Sequence, residues 1–173
     1  MPDMQLSAEE IAVHTVRMIA DGDYTDFAKY IHPQATNREA VAEPPASRGT
    51  GPAAFLSTAE WLRSAYSDMH WEVHDLVSDG DIVVLHTIMS GRQTGPFVVY
   101  DADGKVEQVF PATGKTFAVT QTHWCRFADG RLIEHWANRD DLGQARQLGW
   151  APPSPIYLFR MQMATRRARR ANR

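Results

Sequence analysis

Seven histidines, one cysteine and 21 carboxylates are spread through 173 residues, so metal ligation, nucleophilic attack and proton transfer are the chemistries to weigh first. His70 and His74 lie four apart in a stretch of period two, where four residues span about 13 Å, too far for both rings to reach one ion at about 2 Å. Cys125 stands alone, which excludes an internal disulfide and a multi-thiolate zinc site. Placed in a strand pattern between Trp124 and Arg126, it reads as a packing residue. No Gly-x-Ser-x-Gly elbow occurs. Gly114-Lys115-Thr116 ends like a phosphate loop, but Val109 stands where the first glycine belongs and a strand follows instead of a helix. Gly49-Thr50-Gly51 lacks the preceding strand and third glycine of a dinucleotide fingerprint. The expectation is a protein without a metal or cofactor.

Proton transfer is the chemistry left. Alternation puts His123 on one strand face with Val119, Cys125 and Phe127, the face expected to look inward. A histidine there is either a hydrogen-bonded core residue or a working acid/base. The following strand returns Glu134-His135-Trp136-Ala137-Asn138-Arg139-Asp140 beside it. A carboxylate next to tryptophan in a poorly hydrated pocket has a raised pKa and can both take and return a proton. Asp140 could instead pair with Arg139 or Arg146, or cap a helix starting at Asp141. Alternation groups Trp136, Asn138 and Asp140 on one face and leaves His135 on the other.

The elements that must position these groups fall into two halves. Ser7 and Glu10 form a capping box before a helical pattern over 7–20, and a second short helix spans about 25–31 up to Pro33. Residues 32–50, with three prolines and no period, are expected to be a loop rimming a cavity. A third helix covers about 51–66, with Phe55, Ala59 and Leu62 on one face. From Met69 the period becomes two. Asp79-Gly80, Asp103-Gly104 and Asp129-Gly130 mark three hairpins, because Asp and Gly tolerate the positive φ such turns need. These hairpins are 71–77 with 82–89, 96–100 with 105–110, and 117–127 with 131–138. A short helix over 141–148, a proline break and a terminal helix over about 156–171 complete the chain. Helices first and strands afterwards indicate a segregated α+β domain.

Composition limits the setting. The chain is 43 % hydrophobic and 23 % charged, with no apolar run approaching the roughly 18–20 residues of a membrane-spanning helix. Residues 1–6 carry no secretory signature, so the expected location is cytoplasmic, with no membrane partner. The net charge of −3 hides an asymmetry. Residues 160–173 hold six arginines and no acid, against 12 basic and 21 acidic side chains elsewhere. Without interleaved aromatics this tail is a poor nucleic-acid surface, and no nucleic-acid partner is expected.

Thr113-Gly114-Lys115, His123 to Phe127, Asp129 to Trp136, Asp140 and Gln147-Leu148-Gly149 together resemble the SnoaL-like polyketide cyclase family, also called ester cyclases. His32-Pro33, Asn37, Gly80-Asp81 and Gly91 to Phe97 extend the resemblance over about 7–149. It implies a cone-shaped α+β fold of the nuclear transport factor 2-like kind, in which a curved mixed sheet wraps the N-terminal helices around an apolar cavity, usually in a homodimer or larger homo-oligomer. It also implies cofactor-independent general acid/base chemistry, an aldol-type ring closure or a related isomerisation or hydration, on a small, apolar, carbonyl-containing polyketide-like molecule. Under it Asp140 is the general acid/base, His123 the donor to the developing oxyanion, and Asn37, Trp61, His135, Trp136 and Asn138 the substrate-orienting residues. Gly91-Arg92-Gln93 replaces a frequent Gly-Thr-His of the family, so position 93 supplies no imidazole. Residues 150–173 lie beyond the family core, as a basic helical extension expected to pack on, or swap with, a neighbouring subunit. The alternatives are a non-catalytic binding protein for a lipophilic molecule and an oligomerisation scaffold.

Overall fold

The structure, a computed structural model, describes residues 6–172; residues 1–5 and Arg173, the end of the basic tail, lie outside the described residues. Ser7 and Glu10 form the expected box, each backbone N–H donating to the other's side chain at 2.8 and 3.2 Å, and start α1 (Ala8–Arg17). Asp23 and Asp26 repeat the device at α2 (Tyr24–Tyr30). Ile31–Asn37 is a strand, β1, where a loop was expected. Pro33 hides it from a period-based reading, but β1 lies at the sheet edge, where a missing N–H is tolerated. Two short 3-10 turns, Ala40–Ala42 and Pro45–Arg48, lead to α3 (Gly51–Ala65).

The second half is β2 (Tyr66–Asp79), β3 (Ile82–Gln93), β4 (Phe97–Tyr100), β5 (Val106–Phe110), β6 (Thr116–Ala128) and β7 (Arg131–Arg139), then α4 (Asp141–Leu148) and α5 (Pro155–Ala171). Five strands form one sheet in the order β1-β7-β6-β3-β2, with β1 parallel to β7 and the other pairs antiparallel. Register shifts after Ser67, Val73 and Arg126 bend it, since an extra residue on one strand adds local twist. The curved sheet and the N-terminal helices enclose a core in which Phe27, Ile31, Leu85, Leu132 and Leu148 are completely buried.

β4 and β5 form a separate hairpin across the mouth of this curve. Gln93, fully buried, anchors its base: its amide donates to Phe110 O (3.0 Å), and its carbonyl accepts from Trp150 Nε1 (3.1 Å) and Thr113 Oγ1 (3.0 Å). Position 93, where the sequence supplies no imidazole, therefore holds the hairpin instead. α5 lies on the same hairpin of its own chain. Arg169 donates to Val106 O (2.9 Å) and Glu107 O (2.7 Å), and Thr165 Oγ1 accepts from Val109 N (2.9 Å).

Candidate active site

A cavity of about 370 Å³ opens between the sheet, α1, α3 and the hairpin. Its walls are mostly apolar: Val16 from α1 and Ile19 just past its end, Phe55, Trp61 and Leu62 from α3, Trp71 and Met89 from the sheet, and Phe97 and Phe110 from the hairpin. Trp61 is fixed by donating to Val98 O at 2.9 Å and leans on Phe97, with ring centroids 4.7 Å apart. Walls of this kind leave a few polar groups to set a ligand's orientation.

Those groups come from two places. The first is the inward face of β6 and β7. Cross-strand partners share a face, and His123 pairs with Ala137 while Cys125 pairs with His135. Gln121, His123, His135 and Arg139 thus all line the cavity. They form a connected chain. Trp71 Nε1 donates to Gln121 Oε1 (3.2 Å), which also meets His123 Nε2 (3.0 Å). His123 Nδ1 lies 3.1 Å from His135 Nε2, and His135 Nδ1 lies 3.1 Å from Asn37 Oδ1. Asn37 Oδ1 accepts from the Glu39 N–H at 3.2 Å. Burial pushes His123 well below the ordinary histidine range, with His135 and Arg139 adding to the effect. Burial and then Arg139 push His135 down as well. Arg139 itself sits between Asp141 (3.6 Å) and Glu39 (3.9 Å).

The second source is the segment between β1 and α3. Glu43 is only 3 % exposed and lines the cavity. Thr58 Oγ1 donates to its carboxyl at 2.5 Å. Burial raises its pKa above the usual carboxylate range, against the opposing pull of Thr58 and Arg139. Arg48 holds the backbone in place, donating to Glu43 O (3.0 and 3.2 Å) and also to Asp101 O (2.6 Å) and Ala102 O (3.0 Å) at the hairpin tip. One guanidinium therefore ties the carboxyl-bearing segment to the hairpin.

Of the residues expected from the sequence, His123, His135, Asn37 and Trp61 line the cavity. Trp136, Asn138 and Asp140 do not. Trp136 faces outward, stacked on Trp124 (centroids 5.7 Å apart, 9° between planes) and under the Arg38 guanidinium (4.3 Å). Asn138 and Asp140 are exposed. Asp140 caps α4, accepting from Gly143 N at 2.8 Å, and its carboxyl fills the space a Cβ at position 143 would take. The physical reason is register: once His123 faces inward, its partner Ala137 does too, and alternation then sends His135 and Arg139 inward and Trp136 outward. Glu43, Gln121 and Arg139 were missed. Parity with His123 could have found the last two, but nothing periodic marks Glu43.

A family model described as SnoaL-like polyketide cyclase matches residues 10–148. The chain is 33 % identical over 135 residues to an aklanonic acid methyl ester cyclase of Streptomyces peucetius, covering 78 % of this chain and 85 % of the relative. It is 29 % identical over 129 residues to a nogalonic acid methyl ester cyclase of Streptomyces nogalater, covering 74 % and 87 %. Among solved structures, TsrD from Streptomyces laurentii superposes with a TM-score of 0.66 at 26 % identity, over 83 % of this chain and 98 % of that one.

Proposed function

The chain belongs to the SnoaL-like polyketide cyclase family, and from that premise we propose that it closes a ring in a polyketide-derived methyl ester by an intramolecular aldol reaction inside the cavity. The observation that carries this reading is a mainly apolar cavity whose wall also holds the His123–His135 pair, Arg139 and Glu43. An aldol closure needs a base for the proton α to a carbonyl and a donor for the oxygen that becomes charged. The enolate carbon forms a bond to a second carbonyl carbon, the C=O π electrons move to oxygen, and that oxygen takes a proton back. Atoms and electrons balance within one molecule, so the step calls for no redox partner. In this reading Arg139, which lines the cavity, takes an ester or enolate oxygen. The carboxyl group that the reaction can use is Glu43 rather than Asp140, because Glu43 is desolvated in the cavity whereas Asp140 is spent on a helix cap.

The test is incubation with aklanonic and nogalonic acid methyl esters followed by chromatography and mass spectrometry. Conversion to an isomer of unchanged mass is expected. Asp140→Asn, which keeps a good N-cap, should convert both at the wild-type rate. Saturable binding with each ester recovered unchanged would favour a binding protein instead.

A further inference from the structure

The two imidazoles present a proton count that does not close. All four ring nitrogens have partners, at 3.0 to 3.1 Å. The outer two face oxygens whose orientation is set by obligate donors. Gln121 Oε1 already accepts from the Trp71 indole N–H, and Asn37 Oδ1 from the Glu39 backbone N–H. Turning either amide would set N–H against N–H. His123 Nε2 and His135 Nδ1 must therefore both carry hydrogen. The inner gap, His123 Nδ1 to His135 Nε2, needs one more. That makes three protons on four nitrogens, and two neutral imidazoles bring only two. In the neutral pair one contact always sets lone pair against lone pair.

We propose that the His123–His135 pair is a one-proton acceptor built to ionise an acidic ligand in the cavity: a carbon acid between two carbonyls, or a phenol. The ligand's C–H or O–H proton moves to the pair and closes the inner gap as N–H···N, while the electron pair of the broken bond stays on the ligand as enolate or phenolate. The cavity's net charge does not change, because cation and anion form together. In the empty site desolvation and Arg139 keep the pair neutral; a bound anion supplies the missing counter-charge. Among the described residues the other titratable groups on the wall are Glu39 and Glu43 from the segment after β1, Tyr66 and Cys125 from the sheet, Arg139 at the end of β7 and Asp141 at the start of α4. Burial holds Tyr66 and Cys125 neutral by raising both. This assignment rests on the cavity being the catalytic site, but it is read without turnover.

The experiment uses 4-nitrophenol, whose visible band reports its ionisation. Bound to the wild-type protein below its solution pKa, it should show the phenolate band. Its affinity should be independent of pH in that range, since the proton stays in the complex. His135→Gln should lower the bound phenolate-to-phenol ratio by about tenfold or more, the equivalent of one pKa unit. An affinity that rises with pH would mean the proton leaves for solvent and Arg139 alone holds the anion, overturning the proposal. So would a bound probe that stays protonated. A second measurement needs no ligand: ¹⁵N titration of the imidazoles in the free protein. Uptake of a single proton that moves the resonances of both rings together is expected. Independent titration, or uptake of two protons by the folded protein, would overturn the assignment. Loss of the pair's proton sharing with ring closure intact would sink this inference and leave the cyclase reading standing. Sharing without conversion of either ester would do the reverse.

Discussion

The two faces of the β6–β7 ladder carry similar side chains in different physical circumstances. Outward, Arg126 pairs with Asp81 (2.8 Å) and Glu134 (3.4 Å), Arg38 pairs with Glu134 (2.6 Å), and Trp124 stacks on Trp136. Inward, one residue along each strand, Gln121, His123, His135 and Arg139 line the cavity. The outer charges are solvated, and such ion pairs gain little because water serves nearly as well. On the inner face His123 and His135, with Glu43 beside the same cavity, are buried, and burial moves their pKa values, so these groups must account for every hydrogen. Burial of the imidazoles, more than residue type, separates the two networks.

Glu43→Gln is the hardest test of that contrast. It keeps the hydrogen bond from Thr58 but cannot exchange a proton, and turnover should fall by roughly 10²- to 10⁴-fold with the melting temperature little changed. Steady-state rates and a thermal melt on one preparation check both. His123→Leu comes next. It strands Gln121 and His135 without their partner, at a cost of about 1–3 kcal/mol in urea unfolding.

The same face fixes a sign with pH. Both imidazoles are held below the ordinary histidine range, so between their folded and unfolded pKa values the unfolded chain binds protons that the folded chain refuses. Stability therefore falls as pH drops below about 6.5, and a His123→Leu/His135→Leu variant should lose that slope. Glu43, raised by burial, has the opposite sign. Its contribution is full below the unfolded carboxylate value of about 4.3 and is lost as pH rises through its folded value. Glu43→Gln should flatten that limb.

Arg139→Met is a smaller perturbation. Arg139 lowers both histidines and Glu43, so without it all three pKa values should move up, as ¹⁵N and ¹³C titrations would show. Arg126→Gln, on the solvated face, should leave the melting temperature and ligand affinity unchanged within error. A loss comparable to that of His123→Leu would break the distinction between the two faces.

Most of the fold was legible in the sequence, because its signals are local. The Ser7–Glu10 box, the Asp129-Gly130 turn with both residues at positive φ, and the change of period near Met69 each follow from interactions within a few residues. β1 was not legible. Its pairing with β7 joins Ile31 to Leu132, about a hundred residues away, and Pro33 erases what local pattern it had. The site was half legible: His123, His135, Asn37 and Trp61 reach the cavity, while Asp140, Trp136 and Asn138 were placed there by assigning β7 to the wrong face.

By itself, then, the sequence determined the family, the order and kind of the elements, and the presence of imidazoles and carboxyl groups close along the chain. Only the tertiary structure decided which of them meet. A strand's alternation is unchanged in form by a shift of one residue, so the choice between His135 and Trp136 waits on the partner strand, where His123 opposite Ala137 settles it. Glu43 has no period at all. Its place in the cavity depends on Thr58 fifteen residues away and on Arg48 reaching the hairpin tip, contacts that exist only once the chain has folded.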